Sequence, residues 1–396
     1  MFRESIRLGK LFGIQIKLNW SVLIIFGLIV FHLALGVFPE WQPDWSAWML
    51  WTVSLTAAVV FFLSLLAHEL AHSLTARAYG LPVRSITLFL FGGVSDIAEE
   101  PDTPGRELVI AGAGPLMSLV LGALFLIWFN LLVPVEAGQL EDPTRLFTQL
   151  GPLASVLAWV GPINILLAVF NMLPALPLDG GRIFRAILWQ ATGDLKKATL
   201  WSSTVARVFS WTLIAVGVAM ALGIPIPFLG AGMVGGLWLA LIGWFLGRAA
   251  TASYSQLLLQ EALEGMTVSK LMREESEFVP SDISIDQLVD EYLLDTDRDT
   301  FPVVDRGRYI GIVRFQDVHR VDQNAWPKTP VDKIAVTDEE IPAFAPDEEL
   351  FDALRDMLRS GLDQAPVVDE DDCLIGVIVR EDVFEWLQRH EAVPGF

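Results

Sequence analysis

His68-Glu69-Leu70-Ala71-His72 places two imidazoles four residues apart, with a carboxylate beside the first. On an α-helix, positions i and i+4 share a face, so His68 and His72 can hold one zinc ion between them. Glu69 can then take a proton from water, the requirement of metal-assisted hydrolysis. The flanking residues sharpen this reading. Phe61-Phe62-Leu63-Ser64-Leu65-Leu66-Ala67 precedes the first histidine, with Ser64 its one polar residue. A charged side chain in a membrane helix costs about 2.5 kcal/mol or more and is functional by default. The plain alternative is a helix that stops at Ala67 and leaves both histidines at an interface.

Two histidines leave a zinc site short of a third protein ligand. Asp179 is the candidate, in the segment Asn171-Met172-Leu173-Pro174-Ala175-Leu176-Pro177-Leu178-Asp179-Gly180-Gly181. Pro174 and Pro177 break the preceding helix, and Gly180-Gly181 are expected to keep the next from starting at once. Irregular backbone at membrane depth is tolerated only inside protein or along a water-filled cavity, a setting that suits a metal ligand. Otherwise Asp179 caps the following helix or pairs with Arg182. Asn171 can donate from its amide to a substrate carbonyl or an oxyanion, or it can cap the broken helix end.

The elements that must carry these residues are membrane helices. Of 396 residues, 53% are hydrophobic and only 19% charged, below the quarter usual in soluble domains. Runs at 18–38, 52–76, 108–133, 151–173, 204–222 and 228–247 are each near the 20 residues a span needs. A basic segment with Arg3, Arg7, Lys10 and Lys17 precedes the first. With that end inside, Arg77, Arg84, Arg106, Arg182, Arg185, Lys196, Lys197 and Arg248 all fall inside as well, while 39–51, 134–150 and 223–227 fall outside. The reading is a multi-pass protein of the cell membrane with both termini cytoplasmic. A cleaved signal peptide is the rival for the first run, but it lacks a clear A-x-A site. Between the second and third spans, residues 83–97 have β-type character punctuated by Gly92-Gly93, and a hairpin is expected.

Charge is segregated along the chain. Residues 1–260 carry 14 Lys and Arg against 14 Asp and Glu, whereas 261–396 carry 13 against 33, which accounts for the whole net charge of −20. So acidic a tail repels nucleic acid and anionic headgroups. Cys373 stands alone, which excludes an internal disulfide and a thiolate-rich metal site and suits a reducing cytoplasm. The tail repeats itself. Pro302-Val303-Val304-Asp305 returns as Pro366-Val367-Val368-Asp369, 64 residues later. Tyr309–Asp317 (YIGIVRFQD) returns as Leu374–Asp382 (LIGVIVRED), 65 residues later. Two copies of one supersecondary unit are expected to pack together.

HELAH in an apolar helix, followed about 100 residues on by NMLPALPLDGG, resembles the site-2 protease family of intramembrane zinc proteases over roughly residues 1–250. The resemblance implies a six-helix core, zinc on His68, His72 and Asp179, Glu69 as general base, and Asn171 as a substrate or oxyanion contact. The Phe91-Gly92-Gly93-Val94 segment looks like the hairpin that holds an extended substrate in that family. The repeated tail resembles a tandem pair of cystathionine-β-synthase (CBS) modules at 266–322 and 330–390, joined to the core by a linker at 251–265.

The CBS resemblance implies an α/β pair with an adenine nucleotide (ATP, ADP or AMP) in its cleft. Asp317 and Asp382 would meet ribose hydroxyls. Arg314 and Val379 stand where that family often has Thr or Ser, and Arg314 or Arg380 could meet a phosphate. The other reading of the pair is a homodimerisation module. The fold class is therefore an α-helical polytopic membrane core with a β-hairpin insert, followed by an α/β tandem CBS-type domain. The function implied is hydrolysis, near the cytoplasmic side, of peptide bonds in single-span membrane proteins lying in the lipid bilayer, under control of the tail. A CBS-regulated transporter and an inactive metal-binding scaffold are the alternatives. The transporter predicts inverted repeats, which the core lacks, and gives no reason for Glu69.

Overall fold

The computed structural model describes residues 5–90, 92–97, 100–133, 147–227, 230–274, 278–293, 300–336 and 343–390. Phe91 of the expected hairpin and 134–146 of the expected outer loop lie outside these. The chain forms two compact units, Met1–Tyr254 and Ser255–Phe396.

Six helices of the first unit and its exit are long and apolar enough to cross a bilayer: α1 (Ser21–Trp41), α2 (Ala47–Ala78), α3 (Pro104–Leu132), α4 (Pro152–Asn171), α6 (Leu195–Ala221) and α7 (Met233–Leu263). Each overlaps one expected span. Their outward faces carry Leu28, Leu116, Ile127 and Leu131, all more than half exposed. Such faces are disfavoured in water and favoured in lipid. Because lipid gives no hydrophobic drive for helices to associate, close approach through small residues takes its place. A Cβ on Gly122 of α3 would stand 3.0 Å from the Gly161 carbonyl of α4 and 2.7 Å from the Ile165 side chain. Gly217 of α6 and Gly236 of α7 are likewise in backbone contact, and Ser210 of α6 donates to the Gly243 carbonyl of α7 at 2.5 Å.

The hairpin forms as expected, with β3 (Val83–Phe89) antiparallel to β4 (Gly92–Ile97). It is half of a larger sheet. The basic N-terminal segment, read from sequence only as a topological signal, forms β1 (Ser5–Leu11) and β2 (Ile14–Asn19). The sheet order is β1-β2-β3-β4, with β2 and β3 parallel through Ile16–Ile86 and Leu18–Leu88. Ile14, Ile16, Ile86 and Leu88 alternate onto one face and pack with Leu65, Leu66 and Leu70 of α2. The sheet is thereby laid against the helix that carries the histidines.

Two local expectations are corrected. Gly180-Gly181 do not delay the next helix: α5 (Asp179–Thr192) starts at the aspartate itself. The reason is steric. A Cβ on Gly180 would press on the backbone of Met172 and Leu173, and one on Gly181 on that of Ala175 and Leu176. The glycines let the first turn of α5 settle onto the preceding turn. Residues 251–263, assigned from sequence to a linker, continue α7. Thr251–Leu263 contain no Gly or Pro, and the helix ends only before Gly265, where φ is 70°.

The second unit holds β5 (Val279–Pro280), α8 (Ile285–Leu288), β6 (Thr300–Asp305), β7 (Arg308–Arg314) and α9 (Phe315–Val318), then α10 (Leu350–Ser360), β8 (Gln364–Val368), β9 (Leu374–Val379) and α11 (Arg380–Arg389). The two repeats pack against each other through equivalent positions. Equivalent residues Thr300 and Gln364 meet, the Gln364 amide donating to the Thr300 carbonyl. Arg308 bridges Cys373, also its equivalent. Each copy's leading segment crosses to the other: Arg273 pairs with Val377 of β9, and Val336 with Ile312 of β7. Leu263, at the end of α7, is buried in the core that contains Phe344, Leu350 and Val367.

The Gly122–Gly161 crossing gives a direct test of the helix packing. Gly122→Val should overpack it and cost about 1–3 kcal/mol, seen as a lower midpoint of thermal unfolding in detergent, whereas Gly105→Val, at a position with open space around it, should change the midpoint little.

Candidate metal centre

α2 runs unbroken from Ala47 to Ala78, so both histidines lie inside a helix and the alternative of a helix ending at Ala67 is excluded. His68, Glu69 and His72 are all buried. Asp179, at the first turn of α5, reaches the same point. Its Oδ2 lies 3.1 Å from His68 Nε2 and its Oδ1 3.2 Å from His72 Nε2. The two Nε2 atoms are 3.2 Å apart.

The opposite ring nitrogens decide what these atoms are. His72 Nδ1 is 2.7 Å from the Ile110 carbonyl of α3. A carbonyl only accepts, so Nδ1 carries the proton and Nε2 presents a lone pair. His68 Nδ1 is 2.9 Å from Ser118 Oγ, which can accept the same kind of bond. With both rings neutral and protonated at Nδ1, two nitrogen lone pairs and a carboxylate converge, an arrangement that a cation satisfies. Zinc fits in size and chemistry. Bonds of about 2.0–2.1 Å to N and O put tetrahedral ligand atoms roughly 3.3 Å apart, close to the separations of 3.1 and 3.2 Å between nitrogen and carboxylate oxygen.

Space for this cluster comes from Gly114 of α3. A Cβ there would stand 2.6 Å from His68 Nε2 and would also collide with the His72 ring. Ile110, Gly114 and Ser118 recur at every fourth residue and form one face of α3, a second helix that holds both imidazoles by their outer nitrogens. β4 closes the other side. Ser95 Oγ donates to Glu69 Oε2 at 3.1 Å and accepts from Ser73 Oγ at 3.0 Å. A Cβ on Gly93 would stand 2.9 Å from Glu69 Oε1, so glycine there lets the strand backbone lie against the carboxylate. Sequence reasoning missed Ile110, Gly114, Ser118 and Ser95. Gly114, Ser118 and Ser95 were signalled only as small or polar residues in apolar surroundings, and Ile110, which acts through its backbone carbonyl, carried no signal.

The remaining candidates are placed differently. Asn171 ends α4 and donates from Nδ2 to the Leu167 carbonyl of its own helix at 3.0 Å, and it is not one of the three residues of the His–His–Asp cluster. In the tail each candidate has a protein partner. Buried Asp317 accepts from Arg314 at 2.9 Å and pairs with Arg320 at 3.1 Å. Asp382 takes a bidentate bond from Arg273, both contacts 2.6 Å, which pushes that guanidinium above its ordinary pKa. Arg380 pairs with Asp363 at 2.5 Å.

Metal content should follow this geometry. Replacing His68, His72 or Asp179 with Ala is expected to remove the zinc measured in purified protein, and Gly114→Ala to lower it although no ligand is lost.

Comparison with known sequences and structures gives the family. The profile of Peptidase family M50 matches residues 56–149 and 134–216, and that of the CBS domain matches 268–324 and 331–389. Rip3 of Mycobacterium tuberculosis is 35% identical over 96% of this chain and 92% of its own length. The protein sll0528 of Synechocystis is 32% identical over 98% and 97%. Zinc metalloprotease MJ0392 of Methanocaldococcus jannaschii is 27% identical over 96% and 95%. Among solved structures, the site-2 protease from Methanocaldococcus jannaschii aligns at 25% identity and a TM-score of 0.41, covering 63% of this chain and 95% of that one. With its His–His–Asp cluster, its six membrane-length apolar helices and its paired repeat, the chain belongs to Peptidase family M50, the site-2 proteases, as a membrane zinc metalloprotease with tandem CBS domains.

Proposed function

We propose that this metalloprotease cleaves single-span membrane proteins near the cytoplasmic face of the cell membrane and that its CBS pair adjusts the rate. The observation that carries the proposal is Glu69, buried beside the His–His–Asp cluster and flanked by a sheet-edge strand.

Bound by His68, His72 and Asp179, zinc supplies a Lewis acid that polarises a carbonyl and makes water acidic. Glu69 is the general base. It receives the proton at its carboxylate and returns it to the leaving amine, and Ser95 orients that carboxylate through Oε2. A transmembrane helix hides its scissile bonds, so the substrate must unwind to an extended segment. β4 is an edge strand, paired with β3 alone among the described strands, and it can hold that segment by β-augmentation. Asn171 is assigned to the substrate carbonyl. One N–H of its amide is used on Leu167, and the second remains for a carbonyl or oxyanion.

The inner placement rests on the distribution of Lys and Arg among the loops. It puts both termini and the tail in the cytoplasm, and it lets water reach the zinc ligands from that side. For the tail the reading is a cleft that binds ATP, ADP or AMP, with Asp317 and Asp382 toward ribose hydroxyls and Arg314 and Arg380 toward phosphate. Since these four are paired within the protein, a nucleotide there must exchange those ion pairs for its own. Association of two chains through the CBS modules is the second role assigned to the pair.

Glu69→Gln keeps size and removes the basic oxygen. The variant should retain zinc and lose at least about 100-fold in cleavage of a single-span substrate, the lower end of a general-base contribution; cleavage near the parent rate would make Glu69 structural. Calorimetry of the full-length protein with ATP, ADP and AMP should show binding of at least one, abolished in Asp317→Ala with Asp382→Ala. If none binds, association of two chains remains as the role of the pair.

A further inference from the structure

The helix that carries Asp179 is tied to the rest of the core by a buried ion pair. Glu107 in the first turn of α3 is 0% exposed and Arg185 in the second turn of α5 is 7% exposed. Arg185 Nε donates to Glu107 Oε1 at 2.7 Å, and Nη2 donates to the same oxygen. Arg182 Nε lies 3.9 Å from that oxygen, and Glu100 adds a contact to Arg185 at 3.4 Å. Both arginines count toward the positive-inside pattern, but a topological signal needs no buried partner.

Buried ion pairs are poor stabilisers, because desolvating two charges offsets their attraction and an apolar replacement often does as well. This pair sits where position matters. Glu107 lies on the same face of α3 as Ile110, Gly114 and Ser118, which hold the imidazoles and leave room for them. Arg185 is six residues from Asp179, roughly 9 Å along the helix axis. Asp179 itself has only His68 and His72 as partners in the described structure, so its carboxylate is placed by its helix.

We propose that Glu107 and Arg185 are positioning residues for the zinc site: the pair sets α5 against α3 so that the third ligand meets the two histidines held by the same α3 face. One helix is then the template for all three ligands. The inference rests on the zinc-site reading above, and supporting contacts of this kind typically alter metal affinity 10–100-fold.

The test is the chelator concentration that removes half the zinc from full-length protein in detergent, read beside the melting midpoint of the zinc-free form. Glu107→Gln and Arg185→Ala should release zinc at a concentration at least about 10-fold lower than the parent, and Arg185→Lys, with a point charge instead of a fork, should fall between. The reversed pair Glu107→Arg with Arg185→Glu should recover part of the loss. Leu126→Ala, near the other end of α3, serves as a variant that lowers the midpoint without moving the chelator concentration. Asp179→Ala separates the two ideas. If it loses zinc while Glu107→Gln and Arg185→Ala hold zinc like the parent, the positioning role is wrong; if it keeps zinc, the site itself is misassigned. Loss in the Glu107 and Arg185 variants that only tracks the melting midpoint, as Leu126→Ala would then also show, would reduce the pair to a stability element.

Discussion

Two imidazole nitrogens and a carboxylate are brought within 3.2 Å of one another in a part of the molecule built for lipid. In water such a cluster would be dispersed by solvation. Here the surroundings are apolar, and a cation is what makes the convergence favourable. Much of the core follows from keeping those groups in place. α2 supplies the histidines at helical spacing, α3 fixes their outer nitrogens, and a proline-broken turn delivers the aspartate from another direction.

The packing that allows this depends on absent side chains. Gly114 leaves room for the imidazoles, Gly93 lets a strand lie against Glu69, and Gly180 and Gly181 let α5 begin on top of the turn before it. Each is a close approach that any Cβ would obstruct. Gly122 and Gly161 serve the crossing of α3 and α4 in the same way. Where burial gains nothing by leaving lipid, contact distance is what remains to hold helices together. The N-terminal sheet adds apolar contacts from Ile16 and Ile86 to α2, and so places an edge strand beside Glu69.

The tail obeys a different solvent. Its charge is −20 over residues 261–396, and its core is an ordinary apolar one, shared by Phe344, Leu350 and Val367 with Leu263 at the end of α7. The two CBS copies exchange their leading segments, Arg273 to β9 and Val336 to β7. Neither copy is then complete by itself. Arg273 also closes on Asp382, so the segment that leaves α7 for the tail is bonded to one of the carboxylates assigned to a ligand.

His68, Glu69 and His72 were legible in the sequence because their chemistry depends on spacing along one helix, and a single helix is a local object. The six spans were legible because lipid demands a length of apolar residues, and the CBS pair because a repeat is visible in the letters. Asp179 stood out by type and by the prolines before it, but its meeting with the histidines spans 111 residues of sequence, and only packing could decide it. The lack of Gly and Pro in Thr251–Leu263 is a local feature that lets α7 continue, whereas the sheet partnership of Ser5–Asn19 with the hairpin and the start of α5 at Asp179 were set by contacts that no local pattern encodes. The same is true of Ile110, whose role belongs to its backbone carbonyl, and of Glu107, whose partner lies 78 residues away. Local spacing determined which groups could do chemistry. The approach of α3 and α5 to α2 decided which of them meet, because distances between elements arise from packing and not from the order of residues.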